Sequence, residues 1–133
     1  MILGKSLKNM LVYPSAKVDK IIKLIQTSGF NGVFVVTKTN IVLGLITDAD
    51  IRKLFLKKKY SKRLKASDIM NKNFLSIGEQ PTEVDYFKIL INSEKVIIPI
   101  LKNKKIVNFI HVNDLKFKKE IIQKNVQERK KIL

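Results

Sequence analysis

Residues 41–53, IVLGLITDADIRK, return once in the chain, and that recurrence limits the fold more than any other feature. They come back as residues 105–116, KIVNFIHVNDLK. Each copy runs an apolar strand into a polar residue (Thr47, then His111) and places an acid in the following helix (Asp50, then Asp114). The offset is 114 − 50 = 64 residues, and the apolar pattern matches without a gap between residues 35–50 and 99–114. One unit used twice is the simplest reading. A unit of about 60 residues buries only about 60% of its unfolded surface. The two copies are therefore expected to pack on each other.

Apolar periodicity fills in the rest. Leu11, Val12 and Tyr13 read as a short strand closed by Pro14, with Ser15 as helix N-cap. Val18, Ile21, Ile22 and Ile25 recur at helical spacing over residues 16–28, and Gly29 suits a left-handed end. Residues 32–36 are almost wholly apolar, as in a strand buried on both faces. A turn over 37–40 leads into a strand at 41–46, then a helix over 48–56 that buries Ile51, Leu54 and Phe55. The second copy repeats the order: a turn of helix at 66–70, a strand at 73–77, a helix from Pro81 to Asn92 burying Val84, Phe87 and Ile91, strands at 95–101 and 104–110, and a helix over 113–131. Phe30, Phe34, Phe87 and Phe109 read as core. The expected fold is mixed α/β (α+β), two β-α-β-β-α repeats over residues 1–60 and 61–118, with a basic helical extension over 119–133.

Lysine and arginine number 27 against 11 acids, a formal net charge of +16. Much of the excess lies in the linker at 57–65 and the tail at 116–131. Such a surface attracts polyanions in general. Nucleic acid is not the expected partner, because the basic runs lack an interleaved aromatic pattern for stacking bases. The chain has no cysteine and one histidine. Thiolate and multi-histidine metal sites are thereby excluded within one chain. No apolar run approaches the roughly 20 residues of a membrane span, and the first residues do not read as a secretory signal. The reading is cytoplasmic, with no membrane partner.

The strand, helix, strand, strand, helix order repeated at about 64 residues, the lead-in Ser67-Asp68-Ile69-Met70, and the endings GLITDADIRK and NFIHVNDL resemble a tandem pair of cystathionine-β-synthase (CBS) domains, over residues 5–118. The resemblance implies two repeats packed sheet to sheet with pseudo-twofold symmetry. It also implies clefts that bind an adenine nucleotide (AMP, ADP or ATP), a homodimer, no cofactor requirement and no chemistry of its own. Gly44, Thr47 and Asp50 match the family's glycine, hydroxyl and acid in the first copy. By resemblance Asp50 accepts from ribose hydroxyls and Thr47 donates to phosphate. In the second copy Asn108 replaces the glycine, His111 the hydroxyl, and Asp114 matches. Ile97, Ile98 and Pro99 lie in the segment whose backbone borders the base, with residues 32–35 as its counterpart. A CBS pair with this histidine ending and a long basic helix also looks like the amino-terminal part of bacterial sugar-1-phosphate nucleotidyltransferases, whose catalytic domain would start beyond Leu133.

The residues alone support a nucleoside-phosphate site and leave an alternative open. A helix starting at Asp48 points backbone donors and its positive dipole end at an anion beside Thr47. Asp50 is placed to take a diol, as acids do in dinucleotide folds. Thr47 also suits a simple helix cap. His111 at a strand mouth fits a phosphate contact, strengthened when the imidazole is protonated, or a structural role. No nucleophile, base and acid fall into a catalytic set. A structural dimerisation module with empty clefts is the competing expectation, and a basic nucleic-acid scaffold the lesser one.

Overall fold

The computed structural model describes residues 5–91 and 97–111. The first unit contains α1 (Lys5–Lys8), β1 (Leu11–Val12), α2 (Val18–Ser28), β2 (Gly32–Val36), β3 (Val42–Thr47) and α3 (Asp48–Leu56). The second contains α4 (Ala66–Ile69), β4 (Ile77–Gly78), α5 (Glu83–Ile91), β5 (Ile97–Lys102) and β6 (Lys105–His111). Each unit forms one three-stranded sheet, in the orders β1-β2-β3 and β4-β5-β6. The first pair of strands in each sheet is parallel and the second antiparallel. This is the mixed α+β architecture anticipated from the repeat. The helix expected over 113–131 lies outside the described residues, as does Asp114.

The two sheets share a core. Leu7, Met10, Phe34, Val36 and Leu45 of the first unit are buried in one cluster with Ile97 and Ile106 of the second. Side chains of this size contribute about 1.5–3 kcal/mol each when fully buried. Neither sheet can keep that contribution without the other. The hairpins also meet edge to edge, where the Ile106 amide donates to the Asn40 carbonyl at 2.9 Å. A second cluster built on Val18, Ile21, Val33, Val35 and Ile46 fills the space between the first sheet and α2.

Several local expectations are corrected. Ser15 does not cap α2, which starts two residues later than the sequence suggested, with Lys17 at the N-cap and no side-chain cap bond. The stretch before α2 is instead paired with the linker: Val18 donates to the Leu64 carbonyl at 2.9 Å and Ala66 donates to that of Ala16 at 2.8 Å. Residues 73–76 are not strand, and β4 is confined to Ile77–Gly78. Upstream of it, Asn71 exchanges backbone hydrogen bonds with Leu45 at 2.8 and 3.0 Å. Phe55, Val84 and Phe87 were expected inside but are 52%, 61% and 41% exposed. Phe55 turns outward at the end of α3 and stacks on Tyr60, so aromatic rings do lie among the lysines. Val84 and Phe87, three apart, share an outward face of α5. Gly29 does end α2 in the left-handed conformation, at φ 76°.

The gap-free repeat is also corrected. Val35 pairs with Gly44, and Ile100 pairs with Asn108. Gly44 and Asn108 keep the offset of 64, whereas the strands opposite them are offset by 100 − 35 = 65. Both ladders carry a register irregularity at the equivalent place, after Val35 and after Ile100. The missing residue is in the hairpin turn of the second unit. Gly32 is therefore equivalent to Ile97, and Phe34, not Val35, to Pro99.

Candidate ligand cleft

Thr47 and Asp50 are locked to each other. Asp50 donates its backbone N–H to Thr47 Oγ1 at 3.3 Å, and Asp50 Oδ2 accepts from the Thr47 N–H at 2.9 Å and from its hydroxyl at 3.0 Å. This is a capping box, the reciprocal arrangement that satisfies exposed donors at a helix start. The helix dipole favours both acids of the first turn, Asp48 and Asp50. Asp48 also donates its backbone N–H to the Asn31 carbonyl at 2.8 Å, tying the helix start to the loop before β2. A phosphate contact from Thr47 requires its hydroxyl proton to turn away from Asp50. Asp50 Oδ1 takes no hydrogen bond among the described residues and is the acceptor open to a diol.

The ends of β3 and β6 reach the same region of the molecule. Thr47 ends β3 opposite Gly32, and His111 ends β6 opposite Ile97. Gly32 and Ile97, equivalent positions, meet directly: a Cβ on Gly32 would lie 2.7 Å from Ile97 Cδ1 and 3.0 Å from the Ile46 carbonyl oxygen. Contact between equivalent residues marks the pseudo-twofold axis. The His111 ring sits edge-on to Phe30, with centroids 5.4 Å apart, and Phe30 makes a second edge contact with Phe109 at 5.1 Å. Residues from both units thus converge on one corner: Thr47, Asp50 and Phe30 from the first, Ile97 and His111 from the second.

Of the other sequence-derived positions, Gly44 does not join them. Gly44 lies farther back along β3 beneath Met70, where a Cβ would fall 2.8 Å from both Met70 Cγ and Sδ. The absence of a Cβ there leaves room for the methionine of the Ser67-Asp68-Ile69-Met70 lead-in. Ile97 and Ile98 are 1% and 0% exposed and Pro99 is buried, so only their backbone can border a ligand. Sequence reasoning placed Phe30 in the core and missed its contact with His111. Gly29 and Asn31, which flank Phe30, both adopt positive φ, 76° and 61°. A separate cleft of about 250 Å³ opens elsewhere on the first sheet, between Lys8, Tyr13, Lys20, Val36 and Asn40. None of the sequence-derived site residues lines it.

Comparison with known proteins agrees with this architecture. Residues 7–57 match the family model of the CBS domain. No curated protein matches the sequence. Among solved structures, the CBS-domain containing protein ATU1752 from Agrobacterium tumefaciens aligns with a TM-score of 0.71 at 19% identity, over 83% of this chain and 88% of that one. CBSX2, solved in complex with AMP, aligns with a TM-score of 0.70 at 18% identity, over 87% and 91%. The CBS domain pair of protein MJ0100, solved with 5'-methylthioadenosine and S-adenosyl-L-methionine, aligns with a TM-score of 0.68 at 18% identity, over 80% and 84%. The chain therefore carries the fold of CBS-domain proteins across both units, with the CBS sequence pattern itself matched over the first.

Proposed function

We propose that this chain is a ligand-sensing regulatory module that binds an adenine nucleotide where the ends of β3 and β6 converge. The observation that supports the reading is the contact between Gly32 and Ile97, the strand partners of Thr47 in one unit and of His111 in the other. A hydroxyl, a carboxylate with an open oxygen, and a helix N-terminus suit a ribose and its phosphate. The complexes of CBSX2 with AMP and of MJ0100 with adenosyl compounds support the same ligand class. In this reading the repeats occupy residues 1–60 and 61–118, Asp114 completes the second half-site, and residues 119–133 lead to an attached domain. A sugar-1-phosphate nucleotidyltransferase is the proposed output, with these 133 residues themselves non-catalytic. The module acts in the cytoplasm as a homodimer. Among the described residues no helix is long and apolar enough to cross a membrane.

Calorimetric titration with AMP, ADP and ATP tests the reading. One of the three binds with an affinity on the order of micromolar, and saturation at about 100 times Kd stabilises the fold by about 2.7 kcal/mol. Asp50→Ala lowers the affinity at least about tenfold, the loss of roughly one charged hydrogen bond. Absence of heat and of any melting shift with all three nucleotides would sink the proposal.

The capping box favours a second reading, a structural dimerisation module with empty clefts, since it already employs both Thr47 and Asp50. The outward Val84 and Phe87 on α5 offer such a module an apolar face. A dimer by light scattering, with no nucleotide response, would mark that alternative.

A further inference from the structure

Between Ile51 and Ser67 the chain has eight lysines and arginines and no acid. In the middle of this run two large apolar side chains face solvent, Phe55 at 52% and Leu56 at 76% exposure. The display is fixed by local structure. Lys57 donates to the Lys53 carbonyl at 2.9 Å, Lys58 adopts a left-handed φ of 56° and donates to Phe55 at 3.1 Å, and Lys59 donates to Leu54 at 2.8 Å. Tyr60 then stacks on Phe55, with centroids 4.7 Å apart and planes 16° from parallel, and its hydroxyl donates to Asp19 on α2. Lys57, Lys58, Lys59, Lys62 and Arg63 are all exposed around the apolar pair. The acids that approach this corner are engaged: Asp19 by Tyr60, and Asp48 by Arg52 at 2.8 Å.

Solvent-facing Phe and Leu held rigidly inside a cationic field mark an interaction surface. The occupant must be anionic and must also accept aliphatic surface. A second copy of this chain in isologous contact would set the lysine run against itself. A single-stranded polynucleotide needs open aromatic faces, but Tyr60 covers one face of Phe55 and the most exposed side chain is the aliphatic Leu56. The boundary between headgroups and acyl chains of an anionic bilayer accepts both kinds of group. We propose that this corner docks on an anionic lipid surface, Phe55 and Leu56 entering the headgroup boundary while Lys57, Lys58, Lys59, Lys62 and Arg63 meet the anionic headgroups.

Vesicle sedimentation of the whole 133-residue chain tests this, with phosphatidylcholine vesicles alone and with vesicles containing phosphatidylserine. The chain binds the anionic vesicles, leaves the neutral ones, and releases as salt rises. A near-surface cation contributes roughly fivefold, so the triple variant K57A/K58A/K59A binds on the order of a hundredfold more weakly. Leu56→Ser weakens binding without lowering the melting temperature, because Leu56 is a surface residue. The chain has no tryptophan, so Leu56→Trp reports insertion alone, as a blue shift of its emission on anionic vesicles. The proposal is overturned by failure to bind anionic vesicles, by binding that the triple variant retains, or by bound protein whose tryptophan emission does not shift. Tighter binding to a single-stranded oligonucleotide than to the anionic vesicles would assign the surface to nucleic acid and overturn it as well.

Discussion

The hairpins of the two units differ by one residue, and the difference decides what lies on the pseudo-twofold axis. In the second, Lys102 pairs with Lys105 across Asn103 and Lys104, both at positive φ, 53° and 68°. That is the two-residue turn whose twist matches its strands. In the first, Thr37 donates to the Ile41 carbonyl across a three-residue turn ending at Asn40, φ 68°. The shorter turn slides β5 by one position against β6, so Ile97 stands where the first unit has Gly32. Two isoleucines could not share that axis and two glycines would leave it hollow; one large and one absent side chain fill it. The strand ends beside it differ as well: Thr47 pairs with Gly32 and His111 with Ile97.

The strongest way to break this comparison is to make the axis more symmetric. Gly32→Val puts a branched side chain against Ile97 and the Ile46 carbonyl, and is expected to cost about 3 kcal/mol in denaturant unfolding. Combining it with Ile97→Ala should cost clearly less than the sum of the two single changes; strict additivity would show that the contact is not shared. Gly44→Ala comes next, at about 2 kcal/mol, since its Cβ would enter Met70. Its counterpart Asn108 is exposed, and Asn108→Ala should stay within about 0.5 kcal/mol. Equal effects at the two positions would refute the assignment of Gly44 to the methionine seat. Asp50→Ala removes the capping box and lowers stability by about 1 kcal/mol, whatever its effect on nucleotide.

The smallest effect concerns pH. Tyr60 is held above its ordinary value of 10.0, first by its hydrogen bond to Asp19, then by partial burial and the nearby charge. A value raised on folding means that the neutral phenol is favoured, so its contribution is complete below pH 10 and is lost as pH rises through the folded value. Melting temperature should therefore fall more steeply above pH 10 for the native chain than for Tyr60→Phe. Parallel curves would show that the Tyr60–Asp19 hydrogen bond contributes nothing.

Much of the fold was legible because strands and helices bury residues at fixed periods. The fully apolar run at 32–36 and the spacing of Val18, Ile21 and Ile25 leave few alternatives, and all of those residues are buried. The one-residue slip was invisible because the apolar strands flanking it tolerate either register in a string of letters; only backbone pairing fixes it. Ser15 failed as a cap because the linker, distant in sequence, claimed the backbone that a capping hydroxyl would have served. For the site, Thr47 and Asp50 were found as a pair because their spacing is that of a helix start, which is also why spacing alone could not separate capping from ligand binding. Phe30 was missed because its partner, His111, lies in the other unit, and nothing local announces such a contact.

The stitched linker has a mechanical consequence. Ala16 and Val18 are bonded to residues 64–66, and Leu45 is bonded to Asn71, so the segment joining the units is fastened to the first at both ends of α4. It cannot serve as a hinge without breaking those bonds. Relative movement of the units would also have to part the Gly32–Ile97 contact and the Ile106–Asn40 hydrogen bond.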